Sequence, residues 1–186
     1  MYALVESGNI TKIFHNPQGF KLGDNQYSAD VFTKWSNSER EAIGIYAVTI
    51  DNTNKKNEKW YTNTNQTFTY DASAKTVTAT YGTATAKAHA DVTTDGVVTP
   101  GLKTELIRDL KKDVSRILSE TDWYITRNSE KSTAIPSNIT THRDAVRTKQ
   151  AEMETAITNA ADTAALETLY TYTEQEDGSI TRPLGE

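Results

Sequence analysis

The sequence predicts an α+β fold: an N-terminal Thr-rich antiparallel β region with a short helix, followed by a C-terminal helical hairpin plus a short third helix. The first half alternates polar and apolar residues over short runs rich in Thr, a β-branched residue that suits half-buried strands. In the second half, apolar residues recur at steps of three and four, as they do on one face of a helix. The predicted organisation is a β-rich domain, a linker, a helical domain and an extended C-terminal tail, over residues 1–91, 92–101, 102–172 and 173–186.

The β-rich domain is expected to contain several short strands and one helical region. A helix is predicted over residues 30–42, and Ser36 and Glu39 have the spacing of a capping box at which it restarts. Gly44 is well placed as the residue that ends it. We interpret the later strands as an antiparallel meander. The extended segments, of which the first is a strand pair, are predicted at residues 1–15, 20–22, 45–50, 60–70, 75–81 and 83–90.

The helical domain is predicted from a regular apolar stripe that begins at Leu102 and ends near Ser119. A Thr-Asp-Trp-Tyr corner and a polar loop follow, and a second helix is expected to start after Pro136. Asp162 can cap the short third helix. Two antiparallel helices that flank an aromatic corner form a helical hairpin.

Charge and composition exclude several classes of function. The formal net charge of −5 argues against a phosphate-binding protein, so no nucleic acid partner is expected. Met1 is not followed by a secretory signal, and no window approaches the roughly 20 apolar residues that a membrane helix needs, so no membrane insertion is expected. The apolar fraction of 36% is low, which fits a chain that gains stability from neighbours and predicts a possible homo-oligomer.

No group of residues indicates catalysis, so we expect no enzyme activity, no cofactor and no metal site. His15, His89 and His142 are far apart, and none has a partner at helical metal-ligand spacing. The chain has no cysteine, no Gly-x-Ser-x-Gly elbow and no Gly-rich phosphate loop. Its acidic pairs are typical of solvated helix faces.

Arg143 and Arg147 are candidates for contact with a partner protein. They lie four residues apart, so they share one face of the second helix. A guanidinium group can bind a partner's carboxylate through two parallel hydrogen bonds. The interpretation we prefer is internal pairing with Glu120 or Asp122 near the helix corner.

Four aromatic residues are further candidates for binding. Trp123 and Tyr124 could be interface anchors, because aromatic residues dominate binding hot spots. For Trp123 we prefer packing against the end of the hairpin, and for Tyr124 both interpretations stay open. Trp60 and Tyr61 could form a platform on which host glycans stack, although aromatic residues on strands are more often part of the core.

Two parts of the chain carry a resemblance to a known group of proteins. The first covers roughly the first fifty residues, including Tyr2-Ala3-Leu4-Val5, and the second consists of the segments Ile117–Tyr124, Arg127, Ala134–Pro136 and Arg143–Arg147. These segments resemble small bacteriophage tail proteins with a tail-fibre or tail assembly chaperone-like C-terminal segment. In that group, a helix ends in Thr-Asp-Trp, a Pro-containing loop follows, and an Arg-x-x-x-Arg motif lies on the next helix.

The resemblance implies a non-enzymatic, tail-associated protein that acts through protein–protein contacts, as a structural component of the virion tail, a fibre or an adaptor. The expected partners are other phage tail or fibre proteins. The expected locations are the virion tail and, during assembly, the host cytoplasm. One alternative is a tail-fibre assembly chaperone that is absent from the mature particle. A further alternative is a host-glycan-binding module.

Overall fold

The structure is a computed structural model that describes residues 1–185, and it confirms the α+β class. The chain divides into two compact units, Met1–Thr85 and the residues from Ala86 onward. The first unit contains a five-stranded sheet and two short helices, and the second contains four helices with short hairpins. Strand-rich structure therefore precedes helical structure, as predicted.

The first unit contains eight strands and two helices, and a ninth strand crosses the boundary between the units. The elements are β1 (Tyr2–Glu6), β2 (Asn9–Phe14), β3 (Phe20–Leu22), β4 (Asn25–Tyr27), α1 (Asp30–Thr33), α2 (Asn37–Ala42), β5 (Ile45–Asp51), β6 (Tyr61–Thr62), β7 (Gln66–Asp71), β8 (Thr76–Tyr81) and β9 (Thr85–Ala86).

The main sheet has the strand order β2-β1-β5-β8-β7 and is mixed. All of its neighbouring strands are antiparallel except β5 and β8, which pair in parallel from Val48 opposite Val77 to Asp51 opposite Thr80. The N-terminal β region was predicted to be antiparallel, and this parallel pair at the centre of the sheet is the difference. The chain leaves β5, makes the short strand β6 and the β7–β8 hairpin, and returns to the sheet in the original direction.

Local sequence signals explain the start and the end of the helical region in the first unit. The Ser36 side chain accepts a hydrogen bond from the Glu39 backbone N–H, and the Glu39 carboxylate accepts one from the Ser36 N–H at 2.7 Å. This is the predicted capping box, and its hydrogen bonds lower the pKa of Glu39. Gly44 has φ +77° after α2, and its carbonyl accepts a hydrogen bond of 2.8 Å from the Val5 N–H.

The core of the first unit is an aromatic cluster between the sheet and α1. The rings of Phe14 and Phe32 have centroids 4.9 Å apart, and Phe20 lies 5.0 Å from Phe14. Ile45 from the centre of the sheet is fully buried beside them. Tilted aromatic pairs of this kind add specific ring contacts to the burial of apolar area.

The second unit contains four helices and two β-hairpins. The elements are β10 (Val92–Thr94), β11 (Val97–Thr99), α3 (Leu102–Ser119), α4 (Asp122–Lys131), α5 (Ser137–Asn159), α6 (Thr163–Tyr170), β12 (Thr173–Glu174) and β13 (Ile180–Thr181).

Helices α3 and α5 pack against each other and form the predicted hairpin. The apolar stripe of α3 contributes buried Leu106 and Val114, and α5 contributes buried Met153 and Ile157. Asp162 caps α6 as predicted, because its carboxylate accepts a hydrogen bond of 2.8 Å from the Ala165 N–H. The three predicted helices are therefore present.

Three segments have more regular structure than the sequence predicted, and one of them is the predicted extended tail, residues 173–186, whose described part contains the hairpin of β12 and β13. The residues interpreted as a linker, 92–101, contain the antiparallel hairpin β10–β11, whose turn residues Asp95 and Gly96 both have positive φ. The polar loop expected after the aromatic corner is instead the ten-residue helix α4, which ends at a left-handed Ser132. In the β10–β11 hairpin, the Asp95-Gly96 pair with positive φ at both residues is typical of a type I′ turn.

Candidate functional site

The junction between α3 and α4 brings together the residues that the sequence singled out in the second unit. Helix α3 ends at Ser119, and α4 begins three residues later at Asp122. Thr121 lies between them, and both its backbone N–H and its hydroxyl donate to the Leu118 carbonyl at 3.1 Å. The end of α3 is thereby closed before the chain enters α4.

Arg143 of α5 holds this junction with three hydrogen bonds. Its Nη1 donates to the Leu118 carbonyl at 2.7 Å and to the Thr121 hydroxyl at 2.6 Å. Its Nη2 donates to Oδ1 of Asp122 at 2.9 Å. The residue is only 6% exposed. A buried charge needs such partners, and a cation at the C-terminal end of α3 also meets the negative end of the helix dipole.

The structure therefore uses Arg143 inside the chain. The sequence left Glu120 and Asp122 as possible acidic partners, and the Arg143 side chain is paired with Asp122. The Nε of Arg143 has no hydrogen-bond partner. We call the set Leu118, Thr121, Asp122 and Arg143 the junction clamp. It connects α3, α4 and α5, so it fixes the direction in which α4 leaves the end of α3.

Arg147, the second predicted contact residue on α5, lies outside the clamp. Its guanidinium is paired with Asp144 of the same helix at 3.4 Å, and its side chain is 51% exposed. A pair of this kind on a helix surface contributes little to stability. Arg147 is accordingly an accessible cation, and the sequence alone did not separate its role from that of Arg143.

Trp123 and Tyr124 lie in the first turn of α4, beside the clamp. Their ring centroids are 3.8 Å apart, and Trp123 is 52% exposed whereas Tyr124 is partly buried. Packing of Trp123 against the end of the hairpin was the preferred prediction, and this exposure contradicts it. The chain continues as a helix at this point, so α4 carries the indole ring outward.

Arg127 completes this group and was missed as a site residue in the sequence. Its guanidinium lies 4.7 Å from the Trp123 centroid and 5.3 Å from the Tyr124 centroid, both within cation–π range. Spacings of four and three residues bring such side chains together on a helix. That signal was present, but the segment was predicted as a loop. We call Trp123, Tyr124 and Arg127 the α4 patch.

Helix α4 depends on the clamp for its order. None of its ten residues is buried. Packing of a buried hydrophobic face therefore does not explain its stability. Its length does not explain it either, because isolated helices shorter than about 12–15 residues are marginal in water. The clamp holds its first residue, and Arg127 covers its aromatic rings. Trp, Tyr and Arg, the residue types of the α4 patch, are enriched in binding hot spots, and Trp123 is the exposed one.

The proposed glycan platform lies in the first unit and has a different environment. Trp60 is 3% exposed and Tyr61 is 7% exposed, so both rings belong to the interior. The ammonium groups of Lys59 and Lys56 lie over them at 4.6 and 4.4 Å. Neither ring has an open face on which a sugar could stack. Trp60 and Tyr61 therefore do not form the glycan-binding platform that was the further alternative.

Among residues 1–185, no group of three or more His, Cys, Asp or Glu side chains could hold a metal ion. Within the same range, every helix is too short or too polar to cross a membrane.

No protein-family model, no curated protein and no solved structure matches the chain.

Proposed function

We propose that this chain is a non-enzymatic bacteriophage tail-associated protein that acts through protein–protein contacts, as a structural component of the virion tail, a fibre or an adaptor. The observation that carries the proposal is the junction clamp. All four clamp residues fall within the segments that resemble phage tail proteins, and in the folded chain they meet in one hydrogen-bonded network.

The clamp explains physically why the Thr-Asp-Trp and Arg-x-x-x-Arg motifs occur together. Thr121 and Asp122 are the first two residues of the Thr-Asp-Trp motif, and Arg143 opens the Arg-x-x-x-Arg motif. Arg143 binds both, while the third residue of the motif, Trp123, is left exposed. The pattern thus combines a buried arginine that fixes the backbone with an exposed aromatic residue beside it. A docking surface needs side chains that are held in place in this way.

The chemistry of the presented residues supports contact with protein. Trp123 stacks with Tyr124 and Arg127 on a helix that has no buried residue of its own. Such rings bury a large area at a small cost in side-chain entropy when a partner covers them. The α4 patch is therefore the surface that we assign to contact with other tail or fibre proteins.

Mass spectrometry of purified particles tests this proposal. The chain is expected in particles of the phage that encodes it, in a fixed ratio to a known tail protein, with chemical cross-links between α4 and that protein. A host protein of similar abundance in the lysate is the control for contamination.

The alternative assignments give different results in the same experiment. A chain that is bound to a tail protein in the lysate but missing from particles is an assembly chaperone. A chain that is found neither in particles nor bound to any tail protein overturns the proposed function.

A further inference from the structure

Arg127 is a cation without a counter-charge in the part of the chain that the structure describes. No carboxylate there lies within ion-pair distance of it, and its buried Nε has no hydrogen-bond acceptor. Its guanidinium carbon lies 4.7 Å from the Trp123 centroid and 5.3 Å from the Tyr124 centroid. The two Nη groups of a guanidinium lie in one plane and can bind a carboxylate side by side. The α4 patch therefore lacks an acidic partner.

The C-terminal hairpin, β12 and β13, presents the opposite chemistry. Glu174 pairs directly across from Ile180, so the two side chains project from the same face. Tyr172 precedes Glu174 by two residues in an extended segment, which puts its side chain on that face as well. Ile180 is 65% exposed and Tyr172 is half exposed. We call Tyr172, Glu174 and Ile180 the hairpin face.

The hairpin together with the adjacent Arg182 has three carboxylates and one cation, so its charge is acidic in sum. Between residues 172 and 181 the chain has three acidic residues and no Lys or Arg. Asp177 is used locally, because its carboxylate accepts a hydrogen bond of 2.9 Å from the Ser179 N–H. Glu174 has no ion pair within residues 1–185. Arg182 lies over the Tyr172 ring at 5.1 Å and donates its Nε–H to the Gly185 carbonyl.

We infer that two copies of this chain associate through these surfaces, with the α4 patch of one copy on the hairpin face of the other and an ion pair between Arg127 and Glu174. Each surface has an exposed apolar part and one charge that has no ion pair within residues 1–185, and the two charges are opposite. An exposed pair of this kind contributes little on its own, but coverage by Trp123 and Ile180 removes water and strengthens it.

This inference rests on the proposed function, because it names a second copy of the chain as one protein that the α4 patch contacts. The two surfaces are different, so the contact is heterologous. Such a contact gives a dimer that makes it twice, a closed ring of three or more copies, or an open chain of copies. The low apolar content of the chain agrees with association of this kind.

Sedimentation of the purified chain tests the inference. The wild-type chain is expected to sediment as a multiple of 20.6 kDa in a concentration-dependent manner. Arg127→Glu and Glu174→Arg, each alone, are expected to weaken association by about tenfold or more, because like charges then face each other. The double variant, in which the charges are exchanged, is expected to recover most of the association.

Matched controls separate the contact from a general effect of charge. Arg116→Glu makes the same change of charge at an exposed position on α3, where the arginine side chain is 71% exposed, and is expected to leave association unchanged. Circular dichroism is expected to show the wild-type helix content for every variant. A wild-type chain that stays monomeric at all concentrations overturns the inference, and so does a double variant that associates no better than the single ones.

The outcome is independent of the test of the proposed function. A monomeric chain that is still found in particles means that α4 contacts a different tail protein, which overturns the inference and leaves the proposed function standing. A chain that forms charge-rescued oligomers but is absent from particles and from tail-protein complexes supports the inference and overturns the proposed function.

Discussion

Arg143 of α5 and Asp122 of α4 are joined by a hydrogen bond of 2.9 Å between Nη2 and Oδ1. The guanidinium is buried, whereas 60% of the Asp122 side chain is exposed. Arg143 also donates hydrogen bonds to the Leu118 carbonyl and the Thr121 hydroxyl. One cation therefore fixes the position at which α3 ends and α4 begins. The orientation of the exposed Trp123 follows from this pair.

Replacement of Arg143 by Met is expected to lower the free energy of unfolding by about 2–3 kcal/mol. Met fills a similar space but donates no hydrogen bond, so the Leu118 carbonyl and the Thr121 hydroxyl lose their charged donor. Urea titration followed by circular dichroism measures the change. Part of the helical signal of α4 is expected to disappear as well, because none of its residues is buried.

Arg147→Met on the same helix is the control. Its ion pair with Asp144 is exposed, so the expected change in unfolding free energy is within about 0.5 kcal/mol. Equal effects of the two substitutions would show that the clamp does not hold the junction.

Gly44→Ala is expected to lower the free energy of unfolding by about 2–3 kcal/mol. Gly44 has φ +77°, and an added Cβ would lie 2.5 Å from the Val5 carbonyl oxygen, so the substitution combines backbone strain with a collision. Gly8→Ala is the matched control, because Gly8 has φ +80° with open space around it. Its expected cost is about 1 kcal/mol, and thermal unfolding of both variants compares them.

The stability of the first unit is expected to fall as the pH rises from about 10 to about 12. A hydrogen bond with the Tyr70 side chain, and secondly burial, raises the pKa of Tyr46 to about 12. An unfolded tyrosine has a pKa of about 10. The folded chain therefore holds this proton more tightly, and the contribution is complete below pH 10 and lost as the pH rises through 12.

Tyr46→Phe is the comparison that isolates this group. The difference in unfolding free energy between the wild type and this variant is expected to shrink across that range of pH. Absorbance titration of tyrosinate should lose its latest-titrating component in the variant. A constant difference from pH 9 to pH 12 would contradict the assignment.

The features that the sequence predicted correctly depend on residues close together in the chain. The capping box needs only Ser36 and Glu39, which are three residues apart, and the end of α2 needs only Gly44. The α3 stripe repeats every three or four residues. Such signals act within one turn of the backbone, so they are readable without knowledge of the fold.

The features that the sequence did not predict depend on distant partners. Helix α4 has no regular apolar stripe, and its first residue is held by Arg143, which lies 21 residues away. The parallel pairing of β5 with β8 is set by the path of the chain between them. The β10–β11 hairpin is a different case, because Asp95-Gly96 is a strong turn signal that was interpreted as linker composition. In the clamp, spacing alone could not choose between Glu120 and Asp122.

Substitution of Trp60 and of Trp123 by Ala is expected to distinguish a tryptophan that packs in the core from one that contacts a partner. Trp60 is 3% exposed, so Trp60→Ala is expected to lower the free energy of unfolding by about 3–5 kcal/mol through the cavity that it leaves. Trp123 is 52% exposed, and the expected cost of Trp123→Ala is below about 1 kcal/mol. Urea titration of both variants measures these values.

The same pair of variants also tests what the exposed ring does. Trp123→Ala keeps the clamp residues, so α4 is expected to fold while its contacts with tail proteins, measured by cross-linking yield in lysate, fall at least tenfold. A hot-spot aromatic residue has an effect of this size, because its loss also exposes the neighbouring Arg127 to water. If Trp123→Ala were as destabilising as Trp60→Ala, its ring would have to be part of the packed interior. If stability and cross-linking were both unchanged, the α4 patch would not be the surface that meets the tail protein.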